Sequence, residues 1–356
     1  MDIVAATRAY ERWLRTHVAT SVHDLKLKHE KMSSGGLPFL RATFYRWVTL
    51  WPEACPELLR SPKVLAVGDL HIENFGTWRD MEGRLVWGVN DFDEAYPAPY
   101  TCDLVRLATS ALLAVHEKQF SVSASAACDA ILGGYSETIG NGIGDAFVLE
   151  ERNTALRAIV LSDQRDPARF WSKLTKLKSV EAPREVDKLL RKSLAAVDGH
   201  GRIVHPAAGL GSLGRPRYAL LGTRQRGYVA REAKAIVPSA FAWAERPKEQ
   251  KLFYNAILKR AVRSPDPFTK CKNGWLIRRL APHCSKIDLA DFARPRDEVL
   301  ILTAMGSETA NVHLGASAIA PSFRRDLKRL GRHWLYESAL KMRDITLADW
   351  KNWNAK

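Results

Sequence analysis

The chain is 356 residues long, 46% hydrophobic and 26% charged, ordinary values for a globular protein large enough for two lobes with cores of their own. No apolar run approaches the ~18 residues that a membrane span needs, and the opening segment MDIVAATRAYERWLRTH carries Arg8, Glu11 and Arg12 where a secretion signal has an apolar core. A formal net charge of +15 admits nucleic acid, an anionic membrane face or an anionic substrate as partner. Lys and Arg are dispersed, however, with only modest concentrations at 257–279 and 323–332, so a generally basic solvated surface is the plainer reading. Cys55, Cys102, Cys128, Cys271 and Cys284 form no C-x-x-C pairs, which points to reduced thiols in a cytoplasm and against a zinc site.

Residues 1–32 read as one helix, with Ile3, Ala6, Tyr10, Trp13, Leu14 and His17 on one face, broken by Ser33-Ser34-Gly35-Gly36. An aromatic-rich helical pattern resumes from Phe39 to Trp51 and ends at Pro52; Arg41 and Arg46 within it are surface arginines or cations facing a site. The most informative stretch comes next, VLAVGDLHIENFGTWRDMEGRLVWGVNDFD over 64–93. An apolar strand stops at Gly68-Asp69, Asn74 lies five residues on, and a second apolar strand, Leu85 to Val89, runs into Asp91-Phe92-Asp93. Two strands joined by a tight loop bring Asp69, Asn74 and Asp91 within reach of one another. Such oxygen ligands suit Mg²⁺. An aspartate in D-x-x-x-x-N suits a base that orients a hydroxyl, and solvated turn carboxylates on a hairpin are the bland alternative.

Residues 101–119 predict a helix opened by Thr101 or Asp103, with Leu104, Leu107, Ala108, Ala111 and Leu112 buried. Another helix spans 121–139, stopped by Gly140-Asn141-Gly142, and 146–198 read as helical and charged. Ile203-Val204 then leads into Gly209-Leu210-Gly211-Ser212-Leu213-Gly214, a G-x-G-x-x-G. A dinucleotide fingerprint requires a helix directly afterwards. The next element here is instead a strand from Arg217 to Leu221, then a turn at Arg226-Gly227 and a strand from Tyr228 to Lys234. A helix near 242–263, a strand at Trp275–Leu280, helices at 296–314 and 322–343, and a short tail at 346–356 complete the reading.

GDLHIENF resembles the HGDLHPGN catalytic loop of the aminoglycoside phosphotransferases and related small-molecule kinases of the protein-kinase-like superfamily, VNDFDEA resembles their metal-binding IDFDDA segment, and PAPYTCDLVRL resembles the stretch after it. GDLHIENFG, NDFDEA and CDLVRL together resemble a bacterial family of unknown function within that superfamily, and AREAKAIVPSA resembles that family's V-K-E-A-x-P-S segment. Val67 departs from the pattern, standing where the phosphotransferases have the histidine of HGD, a mainly structural residue there. The resemblance covers about residues 37–320.

The resemblance implies an α+β, two-lobed protein-kinase-like fold with a small antiparallel β nucleotide-binding lobe and a larger helical lobe. The parts run in circularly permuted order, catalytic loop and metal aspartate first, glycine loop and lysine afterwards. The implied units are a helical catalytic lobe at 1–198, a glycine-loop lobe at 199–282, and C-terminal helices at 283–356 that complete the helical lobe. It further implies ATP- and Mg²⁺-dependent phosphoryl transfer to an unidentified hydroxyl acceptor. Asp69 is the expected base, with His71 placed to touch the transferred phosphate. Asn74 and Asp91, assisted by Asp93, are the expected metal ligands. Gly209, Gly211, Ser212, Gly214 and Lys234 are the expected ATP-binding residues, with Arg231 as rival to Lys234. The lysine's acidic partner is expected to be Glu249, with Glu245 also a candidate. Asp103 braces the catalytic loop or caps its helix, and His313 is a packed helix-end histidine. A nucleotidyl transferase of the same fold and a non-catalytic basic nucleic-acid-associated protein are the alternatives. Nucleic acid is a partner that the charge admits and the motifs do not favour.

Overall fold

Helix α1 (Ile3–His17) begins where the Asp2 carboxylate accepts the amide of Ala5 at 2.8 Å, and α2 (Val22–Ser33) begins where the Ser21 hydroxyl accepts that of Asp24. The single helix expected over 1–32 is therefore two, because a cap restarts the helix after the extended residue Val18. In this computed structural model the described residues are 1–142, 144–150, 152–161, 166–194, 197–206, 209–284, 295–315 and 320–356.

The 39–51 pattern also divides, into α3 (Gly36–Ala42) and α4 (Phe44–Ala54), at Thr43, whose hydroxyl donates back to the Phe39 carbonyl. Pro52 lies inside α4 and does not end it. Strand β1 (Lys63–Ala66) pairs antiparallel with β4 (Tyr96–Pro99); β2 (Phe75–Arg79), β3 (Leu85–Val89) and β5 (Phe147–Val148) form a second small antiparallel sheet. Helix α5 (Tyr100–His116) is buried on every side from Tyr100 to Ala114, as expected of a helix apolar all round. Around it pack α6 (Ala124–Asn141), α12 (Pro295–His313) and α14 (Trp334–Asn354). α6 and α12 cross at Gly134 and Gly306, where a Cβ would lie 2.0 Å from the carbonyl oxygen of Thr303 or Ile131; only glycine permits that approach.

The expected helical run of 146–198 resolves into α7 (Thr154–Val160), α8 (Pro167–Thr175) and α9 (Arg184–Ser193). The third sheet has five strands in the order β6-β7-β8-β10-β9: β6 (Asp198–Val204), β7 (Arg217–Arg224), β8 (Gly227–Ala235), β10 (Trp275–Leu280) and β9 (Lys270–Lys272). Its pairings are all antiparallel, with Arg217 opposite Lys234 and Arg278 opposite Glu232. The expected 242–263 helix is interrupted after α10 (Ala240–Glu245) by Arg246 at φ +50°, and α11 (Tyr254–Arg260) comes after the break. The expected 322–343 helix breaks at Gly331, φ +84°, between α13 (Ala320–Leu330) and α14, which takes in the supposed tail. The described residues thus form a mixed α+β structure with small antiparallel sheets, and none of their helices is long and apolar enough to cross a membrane.

Arg46 turns inward to the fold. It donates to the Met1 carbonyl at 3.0 Å and to Asp349 at 2.6 Å, so the first and last helices are neighbours.

Candidate functional site

The apolar run of β1 ends in Gly68, which adopts φ +85° with its α-carbon against the Glu94 backbone; a Cβ there would sit 2.2 Å from the Glu94 carbonyl oxygen. That turn is braced from behind by Asp103, which accepts the amides of Val67 and Gly68 at 2.7 and 2.9 Å. Asp103 is no N-cap, since α5 opens at Tyr100; it is fully buried, and His313 bonds it at 3.0 Å while also meeting Tyr135 at 3.1 Å.

Asp69 emerges from the turn with one carboxylate oxygen held by Arg106, whose Nε donates to Oδ1 at 2.8 Å. Arg106 is wholly buried in α5, donates to the Leu40 carbonyl, and lies over the rings of Phe44 and Trp47. Sequence reading passed over it. The signal to be found was one arginine inside an otherwise apolar helix, a position that demands a partner. Asn74 ends the short turn that His71 caps, and its Nδ2 donates to the carbonyls of Asp69 and Asp91, at 3.2 and 3.0 Å. This bond ties together the ends of the two motifs.

Lys234, 1% exposed, reaches across 143 residues to Asp91 at 2.8 Å and also pairs with Asp93. Burial and the neighbouring Asp91 push the Asp93 carboxyl above the ordinary carboxylate range. Arg215 meets Asp93 at 3.5 Å and Glu94 at 3.2 Å. The expected pairing of Glu249 with Lys234 does not form: Glu249 is exposed and meets Lys251 at 3.0 Å. Glu245 bonds the Tyr96 hydroxyl instead. The lysine's acidic partners come from the NDFD segment, because α10 and α11 present no carboxylate to that face. Arg231, three residues earlier on the same strand, faces the opposite way over the Phe268 ring, as strand alternation requires.

The glycine stretch joins the antiparallel neighbours β6 and β7 and forms a tight turn at Leu210–Ser212. Leu210 and Leu213 anchor it in a cluster with Ile3, Met32 and Phe39. A Cβ at Gly211 would lie 3.5 Å from Asp69 Oδ2, so the loop backbone passes directly over Asp69. Gly214 faces Leu25 and is remote from that opening.

These elements enclose a cleft of about 350 Å³, lined by Asp69, His71, Asn74, Asp91, Asp93, Gly209, Gly211 and Ser212 among others. Arg41 lines it too, paired with Glu73. Sequence reading also missed the Arg217–Glu232–Arg278 group on its wall. The missed signal was strand alternation, which puts Glu232 on the same face as Lys234.

Two buried oxygens at the carboxylate end, Asn74 Oδ1 and Asp93 Oδ1, have no hydrogen-bond partner among the described residues. They fit a hard cation that takes oxygen ligands. No cluster of three His, Cys, Asp or Glu residues suited to a metal occurs among the described residues. Mg²⁺ needs none where phosphate oxygens complete its shell, since one or two carboxylates then suffice.

Behind β3, Glu308 of α12 accepts the Val89 amide at 3.1 Å and holds the end of the strand that leads to Asp91. Burial pushes its carboxyl from 4.5 up to about 7, against the opposing pull of Arg263. Below about 4.5 the folded and unfolded chains both keep the proton and the group contributes nothing. From there to about 7 the unfolded chain has lost a proton that the folded chain retains, so stability falls as pH rises, by about 3 kcal/mol in total. Glu308→Gln keeps the bond to Val89 and is expected to flatten that fall. Denaturant unfolding of both proteins from about pH 5 to about pH 8 checks this, and an unchanged slope refutes it.

A family model described as "Uncharacterized protein conserved in bacteria (DUF2252)" matches residues 22–206, just over half the chain. The matched span holds Asp69, Asn74, Asp91, Asp93 and Arg106 and ends before the glycine loop. No curated protein and no solved structure matches.

Proposed function

For this chain, which belongs to the bacterial DUF2252 family, we propose an ATP- and Mg²⁺-dependent phosphotransferase acting on an acceptor hydroxyl. The observation that carries the reading is the convergence of Lys234 on Asp91, beside Asp69 and Asn74 and under the glycine loop, from separate stretches of the chain. A packed core alone gives no reason to set a buried lysine against two half-buried aspartates around an open cleft. Phosphoryl transfer does, because its catalysis is mostly positioning and charge neutralisation.

In this reading Asp69 accepts the hydroxyl proton through Oδ2, the oxygen that Arg106 leaves to the cleft. His71, buried on the cleft wall, contacts the phosphate in transit. Backbone amides of the 209–212 turn and the Lys234 ammonium hold the ATP phosphates. Asn74, Asp91 and Asp93 would hold Mg²⁺, which supplies neutralisation of the phosphate oxygens. The sheet that carries Lys234 serves as a nucleotide-binding lobe, and the helices before and after it serve as the larger lobe. That is a protein-kinase-like arrangement in permuted order.

The test is thermal unfolding with ATP and Mg²⁺. Ligand at about 100 times its Kd stabilises a folded protein by about 2.7 kcal/mol. The wild type should gain such a shift and Asp91→Asn should lose its Mg²⁺-dependent part. Equal stabilisation of both proteins would refute the reading.

A further inference from the structure

Beyond the carboxylate end, the cleft wall carries a second charged group whose balance is incomplete. On β8 the side chains of Lys234, Glu232 and Ala230 face the cleft side in steps of two residues, each step about 7 Å. Glu232 is buried between two arginines: Arg217 Nη1 donates to Oε1 and Arg278 Nε to Oε2, both at 2.5 Å. Arg217 is 5% exposed; its Nη2 donates to the Ser212 hydroxyl at 2.8 Å, and its Nε is buried with no hydrogen-bond partner among the described residues. Burial alone would raise the Glu232 carboxyl, yet the two guanidiniums bring it down to about 2. One carboxylate thus serves two arginines. Lys173 of α8 lines the same wall and makes no ion pair among the described residues. One step further along the strand, Ala230 joins Leu174, Leu221, Phe170, Trp171 and Leu280 in an apolar cluster.

We infer that Arg217 and Arg278, pinned by Glu232, form a second anion subsite of the cleft, which binds a phosphate nearer the nucleoside of a nucleoside polyphosphate laid along β8. The reacting phosphate then lies at the Lys234 end and the base at the Phe170–Leu280 lip. This deepens the phosphotransferase reading and rests on it for the identity of the ligand. The subsite's own claim is narrower, that the wall takes a polyanion without help from a divalent metal. One buried guanidinium and one half-buried one, sharing a single carboxylate, carry a net positive charge that a phosphate neutralises, and arginine–phosphate pairs are among the stronger hydrogen-bonded contacts. Glu232 fixes both arginines in the direction of the cleft, so little side-chain freedom is lost on binding.

Inorganic tripolyphosphate in EDTA is the probe, with affinity read by calorimetry and thermal shift on the full chain. Removal of metal silences the carboxylate end, so the result is independent of whether Asp91 serves Mg²⁺. The wild type is expected to bind it, with Arg278→Gln at least about tenfold weaker. Glu232→Gln removes the competing carboxylate and is expected to bind several-fold tighter. A merely structural role for the cluster predicts no such opposite response. Equal affinity in the wild type and Arg278→Gln, or weaker binding by Glu232→Gln, overturns the subsite. If the subsite passes and the Asp91→Asn comparison with ATP and Mg²⁺ fails, the phosphotransferase reading falls and the subsite stands.

Discussion

Asp69→Asn is expected to lower ATP-dependent phosphotransfer by about 10²–10⁴-fold, the range over which a positioned general base contributes. The replacement is nearly isosteric. Its side-chain oxygen can still accept from Arg106 Nε, now at 2.8 Å, so the turn and the buried arginine keep a partner. What the amide lacks is the ability to take a proton at the second oxygen, which faces Gly211 and the cleft. Stabilisation by ATP with Mg²⁺ should survive, because Asn74, Asp91 and Lys234 are untouched. The measurement is label transferred from γ-labelled ATP in the presence of fractionated bacterial extract, run beside thermal unfolding with nucleotide. Undiminished transfer by the variant would remove Asp69 from the role of base. Loss of both transfer and nucleotide stabilisation would make it a binding residue instead.

The largest stability effect is expected at Asp103. Its carboxylate accepts from the buried amides of Val67 and Gly68 and is bonded by the ring of His313. In Asp103→Ala the two buried amides, in a turn where Gly68 stands at φ +85°, lose their acceptor. Each unsatisfied buried donor costs about 1–3 kcal/mol, and loss of one partner from a buried ionic group costs about 3–5 kcal/mol. The expected destabilisation is about 4 kcal/mol, measurable by urea unfolding. Asp103→Asn should cost less, because it retains one acceptor while turning a donor toward the second amide. A loss under about 1 kcal/mol in the alanine variant, below the cost of even one orphaned donor, would mean that the loop is held elsewhere. The two experiments separate cleanly: Asp69 is expected to change rate with little change in stability, and Asp103 to change stability first.

Much of the site could be read directly from the chain. Asp69 and Asn74 lie five residues apart, where spacing already limits their separation; Asp91 follows β3, in a sheet apart from β1, and the Asn74 side chain ties the two segments together. The strands read at 217–221, 228–234 and 275–280 are strands of one antiparallel sheet. Long helices were read less well. Apolar spacing runs on through Thr43, Arg246 and Gly331, and the breaks there come from a hydroxyl bonded back to the main chain and from left-handed backbone, neither of which disturbs the hydrophobic period.

Tertiary structure alone decided which cations and carboxylates meet. Strand alternation guarantees that Lys234 and Arg231 point to opposite faces, yet nothing local says which face borders Asp91. That choice is made by packing, which sets the face bearing Ala233 and Ala235 against Val186 and Leu190 of α9 and leaves Lys234 on the other side. The same cause removed Glu249 from the pairing and supplied Asp91 and Asp93 in its place. It also gave Arg106 a carboxylate and turned Asp103 into a brace. Spacing along a strand or helix limits where a side chain can point. Ion pairs between distant segments form only where the surrounding apolar surfaces, once buried, leave two charges no other partner.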